Sequence, residues 1–265
     1  MTGIILTYCL VGSAAGVMAG LLGIGGGLVI VPILIYTFSL QGADPELIMH
    51  LALATSMASI IFTSISSFWA HHRRGAVQWG LVAAISPGIL IGTFLGACFV
   101  STLATDILKL ILVVFLYGAA AQLLTGRRPK ADREMVGWAG LFCAGSVIGA
   151  VSSMVGIGGG SLSVPFMVRH NITIHHAIGT SAAIGFPIAL AGTAGYVFSG
   201  WGNSALPAYC LGYVYLPALA GISLFTFVTA PVGVMLAHRL DVKKLKRIFA
   251  LLLIVVATRM VVEII

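Results

Sequence analysis

Apolar residues fill this chain in long runs, broken only by short polar stretches, and the runs fall into two sets of five. In the first set they cover Gly3 to Leu22, Leu28 to Leu40, His50 to Ala70, Trp79 to Val100 and Asp106 to Leu124. In the second they cover Met135 to Val155, Ser161 to Val168, Ala177 to Ser199, Leu206 to Ala237 and Leu245 to Ile265. Most are long enough to cross a hydrocarbon core of about 30 Å, which takes about 20 helical residues. The second run of each set is not. Leu28 to Leu40 makes a helix of roughly 20 Å at about 1.5 Å per residue, and its counterpart is shorter still. The pattern predicts an all-α, polytopic integral membrane protein of about 8 to 10 membrane segments, depending on whether the two short runs cross. The polar stretch GRRPKADRE divides it into a first transmembrane repeat (residues 1–126), a cytoplasmic linker (127–134) and a second transmembrane repeat (135–265).

The two sets are tied together by an internal match. GSAAGVMAGLLGIGGGLVIVPILI, from Gly12, aligns without a gap to GSVIGAVSSMVGIGGGSLSVPFMV, from Gly145. The pentapeptide Gly23-Ile24-Gly25-Gly26-Gly27 therefore recurs as Gly156-Ile157-Gly158-Gly159-Gly160, each time followed by Val-Pro (Val31-Pro32 and Val164-Pro165). A second match aligns HLALATS with HHAIGTS, pairing His50 with His175, Thr55 with Thr180 and Ser56 with Ser181.

Loop charges decide how the repeats lie, because basic loops stay cytoplasmic. Equivalent loops differ. The loop with Asp44 and Glu46 is acidic, while its counterpart carries Arg169, His170, His175 and His176. His71-His72-Arg73-Arg74 is basic, while Gly200 to Asn203 is uncharged. Ser101 to Lys109 is nearly neutral, while His238 to Arg247 holds five basic residues besides its histidine. The second repeat is therefore expected upside down relative to the first, with an odd number of crossings per half and both termini outside. Four crossings per half would instead make the repeats parallel and leave the charge differences unexplained. The first run follows Met1-Thr2-Gly3 without a basic residue or a cleavage pattern, so it reads as a retained helix.

Composition agrees with the lipid setting and narrows the chemistry. The 265 residues are 59% hydrophobic and 8% charged, with mean hydropathy +1.10. The net charge of +7 is spread over loops and forms no stripe for nucleic acid. Trp69, Trp79, Trp138 and Trp201 stand at segment ends, as interface anchors do. Cys9, Cys98, Cys143 and Cys210 lie in apolar runs without metal-ligand spacing and read as small buried hydrophobes. No HExxH, GxSxG or acid–base pair at motif spacing suggests an enzyme, and no cofactor motif is present.

The glycine breaks carry the strongest candidate site. A helix starting after Gly25-Gly26-Gly27 or Gly158-Gly159-Gly160 turns unpaired N–H groups and its positive dipole end toward the break. Glycine lets backbone approach a ligand, and the proline five residues on frees a carbonyl. Short, interrupted segments in matching positions of two halves point to a transporter's binding site near mid-membrane. The competing reading is close helix packing, which Gly12-Gly16-Gly20, Gly92-Gly96 and Gly145-Gly149 suit by their spacing; three glycines in a row do not follow from it. Thr55, Ser56, Thr180 and Ser181 either donate to an oxyanion or bond back to their own helix. His50 and His175 mark segment ends or titrate in transport. Every carboxylate, from Asp44 to Glu263, lies in a loop or at a segment end, which disfavours a cation carrier. Arg259 is the single cation placed to lie inside the membrane, away from a run's end; it either meets substrate or snorkels toward Glu263 and the outer surface.

The paired GxxxG and GIGGG elements with Val-Pro, each followed by an (A/G)-T-S helix and then a Pro-Gly-rich helix (Pro87-Gly88, Pro231-Val232-Gly233), resemble the TauE/SafE sulfite exporter family, also called the toluene-sulfonate uptake permeases. The likeness covers essentially the whole chain. It implies a multi-pass inner-membrane permease for sulfite, sulfonates or related small anions, usually with about eight predicted spans. It maps substrate binding onto Gly23, Gly25, Gly26, Gly27, Thr55, Ser56, Gly156, Gly158, Gly159, Gly160, Thr180 and Ser181. The expectation is a secondary transporter working by alternating access, with a small anionic substrate between paired helix N-termini, in the lipid bilayer, coupled to a proton or Na+. An anion channel, a carrier of small carboxylates or other sulfur compounds, and a flux-free membrane subunit are the alternatives.

Overall fold

The computed structural model describes residues 2–22, 26–125, 134–236 and 242–264. Among these residues ten helices follow in order: α1 (Thr2–Leu22), α2 (Gly27–Leu40), α3 (Ile48–His72), α4 (Trp79–Val100), α5 (Thr105–Thr125), α6 (Trp138–Val155), α7 (Gly160–Arg169), α8 (Ile174–Ser199), α9 (Leu216–Leu236) and α10 (Val242–Ile264). Between α8 and α9 a small antiparallel hairpin pairs β1 (Cys210–Leu211) with β2 (Val214–Tyr215). Six helices, α3 to α6, α8 and α9, are long and apolar enough to cross a membrane. Shorter apolar stretches lie at Thr7–Gly20, Gly27–Leu40 and Phe249–Val262. Large apolar side chains such as Leu95, Val114, Phe198 and Val255 point outward, an inside-out pattern that suits lipid as solvent.

Several boundaries depart from the sequence pattern. The ninth helix begins at Leu216, not Leu206, because Tyr209 and Gly212 take left-handed backbone (φ 66° and 53°) and turn the chain into the hairpin. Hydropathy alone does not separate such a turn from a helix when its residues are as apolar as Tyr209, Cys210 and Leu211. α8 begins earlier than expected, at Ile174, so His175 and His176 belong to its first turn and not to the preceding loop. α3 likewise starts at Ile48 and α6 only at Trp138. Residues 127–133 of the expected linker, and Arg239 among the basic residues before α10, lie outside the described residues.

α3 and α8 form the centre, with 83% and 61% of their most apolar windows buried against 28% for α5. Around them the most extensive pairings are α4 with α6 and α1 with α9. Both are glycine-lined. A β-carbon on Gly88 or Gly92 would strike the carbonyls of Phe142 or Ser146, and one on Gly145 or Gly149 would strike those of Ile85 or Ile89. Across the other pair, Gly12, Gly16 and Gly20 meet the backbone of Ile222, Thr226 and Ala230. The small-residue spacing read from the sequence is therefore backbone-to-backbone packing at these positions, where lipid offers no hydrophobic driving force and van der Waals contact must hold helices together.

The residue pairs also fix helix directions. Gly12, Gly16 and Gly20 meet successively later residues of α9, so α1 and α9 run the same way. Ser66 donates to the Phe227 carbonyl (2.6 Å) while Thr55 meets Tyr215, so α3 runs with α9 as well. By the same reasoning α4 runs with α6 and with α8, since Thr180 meets Gln78 and Gly195 meets Phe94. α3 and α8 cross in opposite senses, Met57 lying on Gly192 and Ser64 near Gly185.

Gly92→Ala should cost about 1–3 kcal/mol by overpacking. Gly118→Ala, on the open face of α5 with nothing within 4 Å, should be neutral or stabilising by up to about 1 kcal/mol. Thermal unfolding of the two variants in detergent separates them; equal melting temperatures would contradict the close α4–α6 approach.

Candidate functional site

The two breaks share one backbone geometry. Gly26 (φ 72°, ψ −15°) precedes α2 and Gly159 (φ 74°, ψ −6°) precedes α7, both in the left-handed region that residues with a β-carbon rarely adopt. Their carbonyls turn into the new helix and accept its first bonds: Gly26 from Val29 and Ile30, and Gly159 from Leu162 and Ser163. The leading amides of α2 and α7 thus have no acceptor in their own helix and face the break. Pro32 and Pro165 stand at equal depth in these helices. Each frees the carbonyl four residues earlier, Leu28 or Ser161, close to the same spot.

The breaks also touch. A β-carbon on Gly27 would collide with the Gly156 carbonyl and the Ile157 backbone, so the start of α2 lies directly against the second break. Ser56 donates its hydroxyl to the Gly156 carbonyl (2.8 Å), filling an acceptor that the end of α6 would otherwise leave open. Gly23 and Gly25, expected at the first break, lie outside the described residues.

The repeated Thr-Ser pairs divide their work. Thr55 Oγ1 accepts from the Tyr215 N–H and Thr180 Oγ1 accepts from the Gln78 N–H, each at 3.0 Å. Tyr215 immediately precedes α9 and Gln78 caps α4, so each threonine fills an acceptor role at a helix N-terminus belonging to the other half. Neither reading of the hydroxyls as anion donors or as partners of their own helix anticipated this for the threonines. Ser181 does neither alone: its hydroxyl lies 2.8 Å from that of Ser163 on α7.

A small cavity with several hydroxyls in its wall forms beside the second break. Ala19, Thr63, Ser64, Ser67, Gly158, Ser181, Ala182 and Gly185 line it, and at about 10 Å³ it holds roughly one water. Of the expected site residues it brings together Gly158 and Ser181. It adds three α3 hydroxyls that the sequence reading passed over. Thr63 donates to the Ser59 carbonyl (3.0 Å) and Ser64 to that of Ile61 (3.0 Å), while the Ser67 hydroxyl, 3% exposed, has no protein partner. A buried hydroxyl without a partner costs about 1–3 kcal/mol, which a bound anion or water would offset. The signal for these residues was present as Ser59, Thr63 and Ser67 at every fourth position, one face of a helix.

The remaining candidates lie elsewhere. His50 is buried, its Nδ1 3.2 Å from the Glu46 carbonyl and its ring stacked on Tyr213 of the hairpin at 5.2 Å. His175 is exposed. Arg259 is exposed with its guanidinium 4.6 Å over the Tyr36 ring, a cation–π contact away from the cavity. Asp44, Glu46, Asp106 and Glu134 are all exposed, and no cluster of metal-ligating side chains occurs among the described residues. The four cysteines are free thiols, and burial pushes the Cys210 thiol of the hairpin up to about 11.

Comparison with known proteins places the chain among membrane transporters. The model of the family described as "Sulfite exporter TauE/SafE" matches residues 8–260. A protein of Haemophilus influenzae named "Probable membrane transporter protein" is 40% identical over 257 residues, 97% of each chain. A similarly named protein of Methanocaldococcus jannaschii is 26% identical over 242 residues, 89% of this chain and 88% of its own. The Bacillus subtilis protein YdhB, also named a probable membrane transporter, is 27% identical over 193 residues, 70% of this chain and 76% of its own. No solved structure matches the chain significantly.

Thr55→Val and Thr180→Val each remove the acceptor of a helix-capping N–H and should each lower stability by about 1 kcal/mol. The double variant should lose the sum, since the sites lie in separate networks. Serine at either position, which keeps the hydroxyl, should retain most of the stability. Melting temperatures in detergent decide it; a neutral Thr180→Val would show that the Gln78 contact holds nothing.

Proposed function

The chain belongs to the sulfite exporter TauE/SafE family, and on that premise we propose that it is a secondary transporter of small oxyanions, such as sulfite or organosulfonates, working by alternating access. The observation that carries the reading is the cavity beside Gly158: backbone at a helix break, hydroxyls from α3 and α8, and no carboxylate among its lining residues. Hydroxyls can turn their O–H groups to an anion and no carboxylate repels it, whereas a cation would find no charged partner there. The α7 dipole adds its positive end to the same spot.

In this reading the two halves are inverted repeats, residues 1–126 and 135–265. The helix directions support it. α1 and α6 occupy equivalent positions and run oppositely, as do α3 and α8, and α4 and α9. The basic loop at His71 to Arg74 then faces the cytoplasm and both termini lie outside, in the cell's inner membrane. The broken pairs α1–α2 and α6–α7 enter from opposite faces and meet where Gly27 touches Gly156.

A cavity of about 10 Å³ is too small for an oxyanion several atoms across. The structure is read as a closed state, and loading requires α3 and α8 to part around Gly158. Serine and threonine hydroxyls then turn from their own helix carbonyls toward the anion. Ser67, without such a bond to break, is the donor ready beforehand.

Proteoliposomes holding only this protein should accumulate labelled sulfite when a proton or Na+ gradient is imposed, and unlabelled sulfonates should compete better than acetate. Flux without accumulation would favour a channel, and no anion flux at all would refute the proposal. Ser67→Ala and Ser181→Ala should each raise the sulfite KM roughly 10- to 100-fold, the loss of one hydrogen bond to a charged group worth about 1.5–3 kcal/mol.

A further inference from the structure

Resting on the oxyanion reading for the ligand, we infer that the two halves do unequal work: the second break holds the anion with Thr63, Ser64 and Ser67, while the place on α3 and α8 that the internal repeat maps onto this cavity is an apolar gate of Met57, Ile60 and Ile188. The alignment that pairs His50 with His175 also pairs every cavity residue on α3 and α8 with a residue of the other helix. Thr63, Ser64 and Ser67 correspond to Ile188, Ala189 and Gly192. Ala182 and Gly185, the small residues that leave the cavity room, correspond to Met57 and Ile60, and Ser181 corresponds to Ser56, whose hydroxyl is already given to the Gly156 carbonyl.

The two places are therefore built with opposite contents. Beside Gly158, three hydroxyls on α3 face two small residues on α8, and space remains. At the mirrored place, the large residues Met57 and Ile60 stand on α3, and Ile188, Ala189 and Gly192 answer from α8. All of these side chains except that of Gly192 are fully buried, at 0% exposure. The packing there is tight: the Met57 methyl lies so close to Gly192 that a β-carbon would collide with it, while Ile188 reaches from this place to the second break, where its Cδ1 would collide with a β-carbon on Gly159. A volume filled by methionine and isoleucine offers no hydrogen-bond donor to an anion, and removing an anion's hydration there would be uncompensated.

The two places also lie at different depths. Thr63, Ser64 and Ser67 belong to the half of α3 that leads to buried His71 and to Arg74 on the basic loop. Met57 and Ile60 lie on the side toward buried His50 and the hairpin. The stripe Ser59, Thr63, Ser67, His71, one residue per turn on one face of α3, leads from the breaks to the basic face; in the other direction it continues only to Thr55, which already accepts the Tyr215 N–H, and then to apolar Leu51. The site therefore loads from the basic face, and release to the other side requires Met57 to leave Gly192. Methionine, flexible and unbranched, suits a contact that must open and re-form.

The test uses full-length protein with its four cysteines replaced, in oriented vesicles, carrying either Ser64→Cys or its mirror Ala189→Cys. A membrane-impermeant thiol reagent should label Ser64→Cys at least about tenfold faster than Ala189→Cys, because its route opens without breaking the apolar gate. Labelling should come only from the face bearing His71 to Arg74, and sulfite should slow it. Adding Met57→Ala to Ala189→Cys should raise its labelling about tenfold, as the gate loses its bulk. Equal rates for the mirrored cysteines, or faster labelling of Ala189→Cys, would overturn the inequality of the halves. Asymmetric labelling that sulfite leaves unchanged would uphold the inequality and reject sulfite as the ligand, so the two readings fail separately.

Discussion

Backbone polarity in lipid is the constraint from which the rest of this structure follows. Inside hydrocarbon every N–H and C=O needs a partner, so a helix may break only where protein surrounds the break. Here the chain breaks twice, and each break supplies part of the other's surroundings. The Gly27 backbone packs on Gly156 and Ile157, and Ser56 on α3 caps the Gly156 carbonyl. α3 and α8 are the most buried spanning helices because they wall this meeting point. The glycine faces of α1–α9 and α4–α6 hold the outer helices close enough to shield it.

That arrangement also accounts for the polarity of the interior. The helices at the centre are rich in hydroxyls and free of buried carboxylates among the described residues. A hydroxyl can rest on its own helix, as Thr63 and Ser64 do, and still be available to a ligand. A carboxylate or lysine in the same place would need a permanent counter-charge. Hydroxyls and backbone amides are thus the polar groups that a closed, nearly dry centre tolerates, and they are the groups that suit an anion when the centre opens.

Much of this was legible in the sequence because it is periodic or repeated. The doubled GIGGG with its trailing Val-Pro located both breaks, and Gly12, Gly16 and Gly20 announced a packing face. What stayed hidden needed the third dimension. Thr55 and Thr180 stand out in the sequence because they recur, but their matching contacts, each accepting the backbone N–H of Tyr215 or Gln78, lie more than a hundred positions away in the chain. The hairpin before α9 was invisible to hydropathy. Thr63, Ser64 and Ser67 carry no repeat signal, since they stand where the halves differ: their mirrors are Ile188, Ala189 and Gly192.

The exchanged threonine caps bear on how the chain is made. α4 is synthesised and enters the membrane well before Thr180 exists, so the amide of Gln78 must wait for its acceptor until α8 arrives. Gln78 precedes α4 at the membrane surface, where water and headgroups can stand in during that delay. The reciprocal bond, from Tyr215 to Thr55, closes as soon as the hairpin emerges, because its acceptor is already in place. Two bonds that look equivalent in the finished protein therefore form by different histories, and the first half becomes complete only when the second has been threaded in beside it.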